Sequence, residues 1–175
     1  SPSFSFNTGT LPLITGSLMV TLGATFVAVP FGIGTAVYIS EIAPRWMREI
    51  LKPLVELLGG LPSVVLGFLG ILVFSPFLRS FLDLPTGLTA LAGSVLLGGI
   101  AVPTVVSIAE DALDAVPRSY REGAWALGAT RWQTIWRVTL PAASSGVLTA
   151  IMLGVGRAIG ETMTVMMVTG NAPVL

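Results

Sequence analysis

The chain has 175 residues, 53% of them hydrophobic and 10% charged, with a formal net charge of zero. A soluble domain is about a quarter charged, so this composition, with a mean hydropathy of +0.88, describes a membrane protein. The sequence has no cysteine and no histidine. That excludes a disulfide framework, a thiolate or imidazole metal site and histidine-based acid–base chemistry; no catalytic residue, metal or cofactor is expected.

Residues 1–10 are polar and aromatic without periodicity and read as a loop or interfacial segment. The chain opens on Ser1-Pro2-Ser3 with no basic leader and stops at Leu175 just after an apolar run, as expected for an internal piece of a longer protein. A first span is expected over 11–39, where there is no charge and more than the roughly 20 apolar residues that a crossing needs. Pro30, followed by Gly32 and Gly34, is its expected kink. Ser17, Thr21 and Thr25 form a polar stripe suited to facing another helix.

Ser40–Lys52 is read as a charged loop, and a second span over 55–78 follows, interrupted at Gly59-Gly60-Leu61-Pro62. Lys52 and Glu56 are spaced to pair on one helix face. After a short loop with Arg79 and Asp83, a third span is expected over 87–109, with Pro103 as its interruption. Glu110, Asp111 and Asp114 are read as a solvated helix end.

Residues 110–141 are a polar island between apolar runs. Ser119 with Glu122, and Thr130 with Gln133, have the spacing of capping boxes, in which side chains satisfy free backbone N–H groups at a helix start. Gly128 stands between them, where a helix end favours a residue that tolerates a left-handed backbone. The island therefore predicts two short helices, about 120–128 and 131–139, with a sharp turn between them. Pro141 suits the first turn of the next helix, and a fourth span is expected over 142–169.

The loops at 40–52 and 110–141 fall on one side of the membrane and hold Arg45, Arg48, Lys52, Arg118, Arg121, Arg131 and Arg137, seven of the nine basic residues. The opposite side holds Arg79. Positive charge collects on the cytoplasmic side, so both loops are expected there. Trp125, Trp132 and Trp136 suit the membrane–water interface.

Glu122-Gly123-Ala124, three residues, Gly128, nine residues, then Val138-Thr139-Leu140-Pro141 resembles the EAA loop of ABC-importer permeases, E-A-A, three residues, G, nine residues, I-x-L-P. Gly123 and Val138 are the departures. The resemblance implies a coupling helix that docks on a separate ATPase, carried here by Glu122, Gly123, Ala124, Gly128, Leu140 and Pro141. The alternative is an ordinary amphipathic cytoplasmic hairpin. A further likeness, in Gly156–Asn171 (GRAIGETMTVMMVTGN), Glu41–Ile42, Arg48–Pro53 and Gly60–Gly67, is to the PstC-type permease of the phosphate-specific ABC importer. It implies a second, PstA-like permease subunit, an ABC ATPase dimer, an external phosphate-binding protein and inorganic phosphate as cargo. It also implies about six spans in the whole permease.

Arg157 lies deep in the fourth span, with Glu161 one turn further on and Thr164 beyond. An ionised side chain near the bilayer centre costs several kcal/mol, about 2.5–3.5 for Arg on insertion scales, so such residues face a bundle interior or water. They are candidates for the substrate path, against the alternative of an ion pair that only fixes packing. Gly156 and Gly160 beside them would allow close helix approach, and Met163, Met166 and Met167 read as lipid-facing or core residues. The chain has no G-x-x-x-x-G-K-[ST], and its only lysine is Lys52, so ATP hydrolysis must lie elsewhere.

The sequence therefore predicts an all-α polytopic bundle of the type I ABC-importer permease class. It is one domain over 1–175, with four spans in a bacterial or archaeal cytoplasmic membrane and no nucleic-acid partner. The expected function is the membrane subunit of a phosphate importer. A permease for sulfate or molybdate, or a non-transporting scaffold or sensor, is the alternative.

Overall fold

The computed structural model describes residues 11–74, 76–77, 80 and 90–161. The expected N-terminal loop, the loop with Arg79 and Asp83, Thr164, the three methionines and the end of the fourth span lie outside the described residues. Every regular element among the described residues is helical. These are α1 (Leu11–Val37, ending in a π-helical turn Tyr38–Ile42), α2 (Arg45–Gly60), α3 (Ser63–Leu69, continued by π-helical Gly70–Phe74) and α4 (Ala90–Asp114). They are followed by α5 (Arg118–Ala126), α6 (Arg131–Ala142, with a π-helical middle Ile135–Thr139) and α7 (Ser144–Gly160).

Two helices, Ile14–Ile42 and Ala90–Asp114, are long and apolar enough to cross a membrane. The number rises to four if α2 with α3 and α6 with α7 each count as one interrupted span. The helix breaker at Leu61–Pro62 acts as expected: α2 ends at Gly60, and Pro62, extended at ψ 132°, starts α3. Pro103 instead lies inside a continuous helix and does not interrupt its span; Pro30, the expected kink, also has unbroken helix on both sides. The charged segment 40–52 is helical for most of its length rather than a loop. α2 is amphipathic, with Trp46, Ile50 and Leu57 exposed on one side and Leu51 and Val55 packed inward on the other.

The chain divides into two compact units. The first takes its described residues from 1–28, 61–101 and 155–175. Here α1 meets α4: Val20, Ala24 and Ala28 are buried on the first and Ala92, Leu97 and Ile100 on the second, and a Cβ at Gly23 would meet Ser94 Oγ at 2.5 Å. A Cβ at Gly98 would stand 2.9 Å from the Ala24 carbonyl oxygen, so the two backbones touch only because Gly98 is there. Of the Ser17–Thr21–Thr25 stripe, Ser17 is exposed while Thr21 and Thr25 are half-buried, and Thr25 donates to the Thr21 carbonyl of its own helix at 2.8 Å.

The second unit comprises 29–60 and 102–154. Its core joins Ala36 and Ile39 at the end of α1, Val105, Val106, Ala109 and Leu113 on α4, and Ala150 on α7. Small residues again set the spacing. A Cβ at Gly146 would meet the Ala112 side chain at 2.4 Å, and one at Gly154 would meet Val105 at 2.3 Å. At Gly156 and Gly160, the expected small-residue step, a Cβ meets nothing within 4 Å among the described residues.

Candidate functional site

The polar island folds as a helical hairpin within the second unit. α5 ends in a Schellman turn: the Ala129 N–H donates to the Ala124 carbonyl at 3.0 Å and the Gly128 N–H to Trp125 at 2.9 Å. Gly128 carries the left-handed conformation that this turn needs, with φ at +81°. The second helix opens on the expected capping box. The Gln133 N–H donates to Thr130 Oγ1 at 3.3 Å, and the Thr130 N–H donates back to Gln133 Oε1 at 2.9 Å. Leu140 and Pro141 fall in the last helical turn of α6.

The other expected capping box does not form. Pro117 is the N-cap of α5, extended at ψ 139°, and no side chain caps the helix start. A proline there fixes the extended entry, so the helix begins at Arg118 and leaves Ser119 already inside it. Glu122 stays exposed. Gly123 sits in open space, where a Cβ meets nothing within 4 Å; the alanine of the EAA pattern would fit at this position without clash.

The hairpin turns its tip outward. Leu127 is 91% exposed, and Trp125 on α5 and Trp132 and Trp136 on α6 are also exposed. Behind the tip is a cleft of about 510 Å³, lined by Arg48, Arg118, Arg121 and Arg131 with Glu41 and Asp114 among its acidic residues.

The base of the hairpin is tied by ions that sequence reading assigned otherwise. Glu110 is only 2% exposed rather than solvated, because α4 continues past 109 as far as Asp114. It receives Lys52 Nζ at 2.7 Å and Arg48 Nη2 at 3.2 Å. Lys52 also reaches Asp111 at 3.1 Å, so it pairs across to α4 rather than with Glu56. Arg48 and Ser40 both bond Asp114. The intrahelical pair of α2 is Arg45–Glu49, on the solvent side at 3.3 Å.

Arg48 and Lys52 lie on the charged stretch before the apolar second run. For Arg48, burial works against the charge, but Asp114 and Glu110 outweigh it and hold the guanidinium pKa above its ordinary value. For Lys52, the hydrogen bond to Glu110 dominates; burial opposes it, Asp111 adds to it, and the ammonium pKa is raised.

Nearest the hairpin is the Arg121–Glu41 pair. Nη2 lies 2.6 Å from Glu41 Oε1, with the two side chains 14% and 9% exposed. The same guanidinium donates to the Val116 carbonyl at 2.8 Å and the Leu113 carbonyl at 2.9 Å. In the sequence Arg121 counts among the cytoplasmic basic residues and Glu41 within the PstC-type likeness, but nothing there joins the two across 80 residues.

In the first unit, Arg157 occupies the last turn of α7 and is half-buried. Glu161 follows directly on Gly160, the last residue of α7, with its N–H directed to the Ala158 carbonyl at 3.4 Å. Glu161 is also half-buried.

A membrane protein that is helical throughout its described residues, with two to four candidate spans and a capped polar hairpin, is the class that this fold defines. The family described as binding-protein-dependent transport system inner membrane component matches residues 28–174, and the chain belongs to that family. A Bacillus subtilis (strain 168) protein named probable ABC transporter permease protein YqgH is 48% identical over 95% of this chain and 54% of its own length. Phosphate transport system permease protein PstC 1 of Mycobacterium tuberculosis (strain ATCC 25618 / H37Rv) is 39% identical over 93% of this chain and 54% of its own. PstC of Pasteurella multocida (strain Pm70) is 33% identical over 94% and 57%. The chain thus spans about half the length of the curated relatives it matches. A solved structure of the MetNI methionine ABC transporter, in an inward-facing conformation, shares the fold, with a TM-score of 0.68 at 22% identity over 91% of this chain and 73% of that one.

Proposed function

We propose that the chain is the core of a membrane-spanning subunit of an ATP-driven inorganic phosphate importer. It forms part of the translocation path and receives motion from a separate ATPase. The observation that carries this reading is the hairpin: Gly128 holds a positive φ at the position the EAA pattern reserves for glycine, and the turn lifts Leu127 clear of the protein. An exposed apolar tip on a hairpin whose two helices expose Trp125, Trp132 and Trp136 fits a docking surface, where large apolar and aromatic side chains dominate the contact. The PstC names of relatives at 33% and 39% identity support phosphate as cargo.

The partners are a second, PstA-like permease subunit, an ABC ATPase dimer docked on Glu122–Gly128 and neighbouring residues, and an external phosphate-binding protein. The membrane is the cytoplasmic membrane of a bacterium or archaeon, with 40–52 and 110–141 on the cytoplasmic side. ATP binding closes the ATPases, shifts the hairpin and switches the path between outward and inward access. Arg157, Glu161 and Thr164 are assigned to that path.

Orientation is the part of this reading most simply tested. The chain has no native cysteine, so Ser40→Cys and Thr130→Cys each supply a single thiol. Neither should react with an impermeant thiol reagent in intact cells, and both should react once the membrane is permeabilised. Labelling of both in intact cells would place the hairpin outside and remove the ATPase from the account.

A further inference from the structure

The coupling reading requires that a push on the hairpin become a movement of the spans, and the Arg121 guanidinium sits at the joint. We propose that Arg121 is the positioning residue that makes the hairpin move with α1 and α4 as one body. This rests on the hairpin being the ATPase contact.

Arg121 lies on α5, the first helix of the hairpin. Its Nε and Nη2 grip Glu41 at 3.1 and 2.6 Å, and Glu41 belongs to the π-helical turn that closes α1. Its Nη1 and Nη2 also donate to Val116 and Leu113, at and just past the end of α4. Carbonyls at a helix C-terminus lack intrahelical partners and carry the negative end of the helix dipole, so a cation there satisfies both needs. One planar, five-donor group therefore joins three segments. A lysine, as a point charge with three flexible donors, does not reproduce that fork.

The pair is nearly enclosed, at 14% and 9% exposure, in contrast to the Arg45–Glu49 pair at 94% and 67%. Exposed pairs hold little. An enclosed pair is costly to break, because one buried charge is left without its partner. The hairpin is thus bound at its base more firmly than at its tip, the arrangement a lever needs.

The test uses the complete transporter, reconstituted in liposomes with its ATPase and loaded binding protein, and reads labelled phosphate taken up per ATP hydrolysed. In Arg121→Gln the ATPase should still bind and still be stimulated, because the tip is unchanged, while uptake per ATP falls at least ten-fold. A residue that only helped the protein assemble would lower the amount of complex and leave that ratio unchanged; an unchanged ratio overturns the proposal.

If Arg121→Gln does not assemble, Glu41→Cys with Arg121→Cys replaces both charges at once. A short thiol-specific cross-linker that a reductant releases then restores or removes the joint at will. Uptake per ATP should be high with the link and at least ten-fold lower after reduction. Equal ratios in the two states contradict the proposal. Gly128→Asp, run in parallel, separates the two levels of the argument. If it leaves stimulation intact, the docking reading itself has failed, whereas loss of stimulation there with a normal ratio in Arg121→Gln rejects this inference alone.

Discussion

Replacing Gly128 with Asp should leave the protein inserted and folded but reduce binding-protein-stimulated ATPase activity to its basal level, a drop of ten-fold or more. Gly128 holds φ at +81°, where a Cβ costs roughly 1–2 kcal/mol, yet a Cβ there would touch nothing within 4 Å. The penalty is conformational, not steric. Asp is among the residues that bear this conformation best, so the turn survives, and what changes is a charge at the apolar docking tip. Gly128→Val separates the two effects, because a β-branched side chain distorts the turn itself. The account expects Val to lower both the amount of folded protein and the stimulation, and Asp to lower stimulation alone. The measurement is ATPase rate against loaded binding protein in reconstituted complexes, normalised to the permease present. Wild-type stimulation in Gly128→Asp would show that the hairpin tip is not the ATPase contact.

Arg157→Gln should abolish phosphate uptake, by about a hundred-fold or more, without preventing assembly. Arg157 is half-buried in the last turn of α7, and a charge held within a span is costly unless a bundle interior or water receives it. On a path for an anion, the guanidinium offsets desolvation with charge-assisted, bidentate hydrogen bonds. Glu161 beside an anion path is unfavourable unless the anion carries a proton. Phosphate does so near neutral pH and sulfate does not. A carboxylate can accept that proton's hydrogen bond, while a fully ionised oxyanion meets only repulsion. Glu161→Gln should therefore lower phosphate uptake more than any sulfate leak. The exchange Arg157→Glu with Glu161→Arg keeps both charges but relocates each by four residues. Normal transport by the exchanged protein would make these residues packing elements and end their assignment to the path.

What the sequence revealed of this structure was mostly local. Gly128, the Thr130–Gln133 capping box and the break at Pro62 each depend on residues within a few positions, and each took the form that its chemistry predicts. The same logic failed at Ser119–Glu122 because an equally local signal, Pro117, set the helix start first. Pro103 was read as an interruption, but its helix continues through it, as the helix around Pro30 also does, which happens in spans where neighbours and small adjustments satisfy the freed carbonyls. The ion pairs were not legible at all. Arg121 meets Glu41 from 80 residues away and Arg48 meets Glu110 from 62, and one sequence carries no sign of such distant pairing. Reading Glu110 as solvated followed the usual rule for a helix-end carboxylate; two cations arriving from α2 made burial tolerable.

Whether an ATPase drives this membrane subunit through the hairpin can be read at Leu127, which at 91% is the most exposed large apolar side chain among the described residues. In Leu127→Cys the chain carries a single thiol, and a thiol-specific cross-linker applied to membranes of the complete transporter reports what lies against it. One adduct is expected, between this chain and the ATP-hydrolysing subunit, with a yield that changes when ATP is bound. A Leu127→Cys thiol that forms no adduct with that subunit, and that reacts with an impermeant reagent in intact cells, would contradict it.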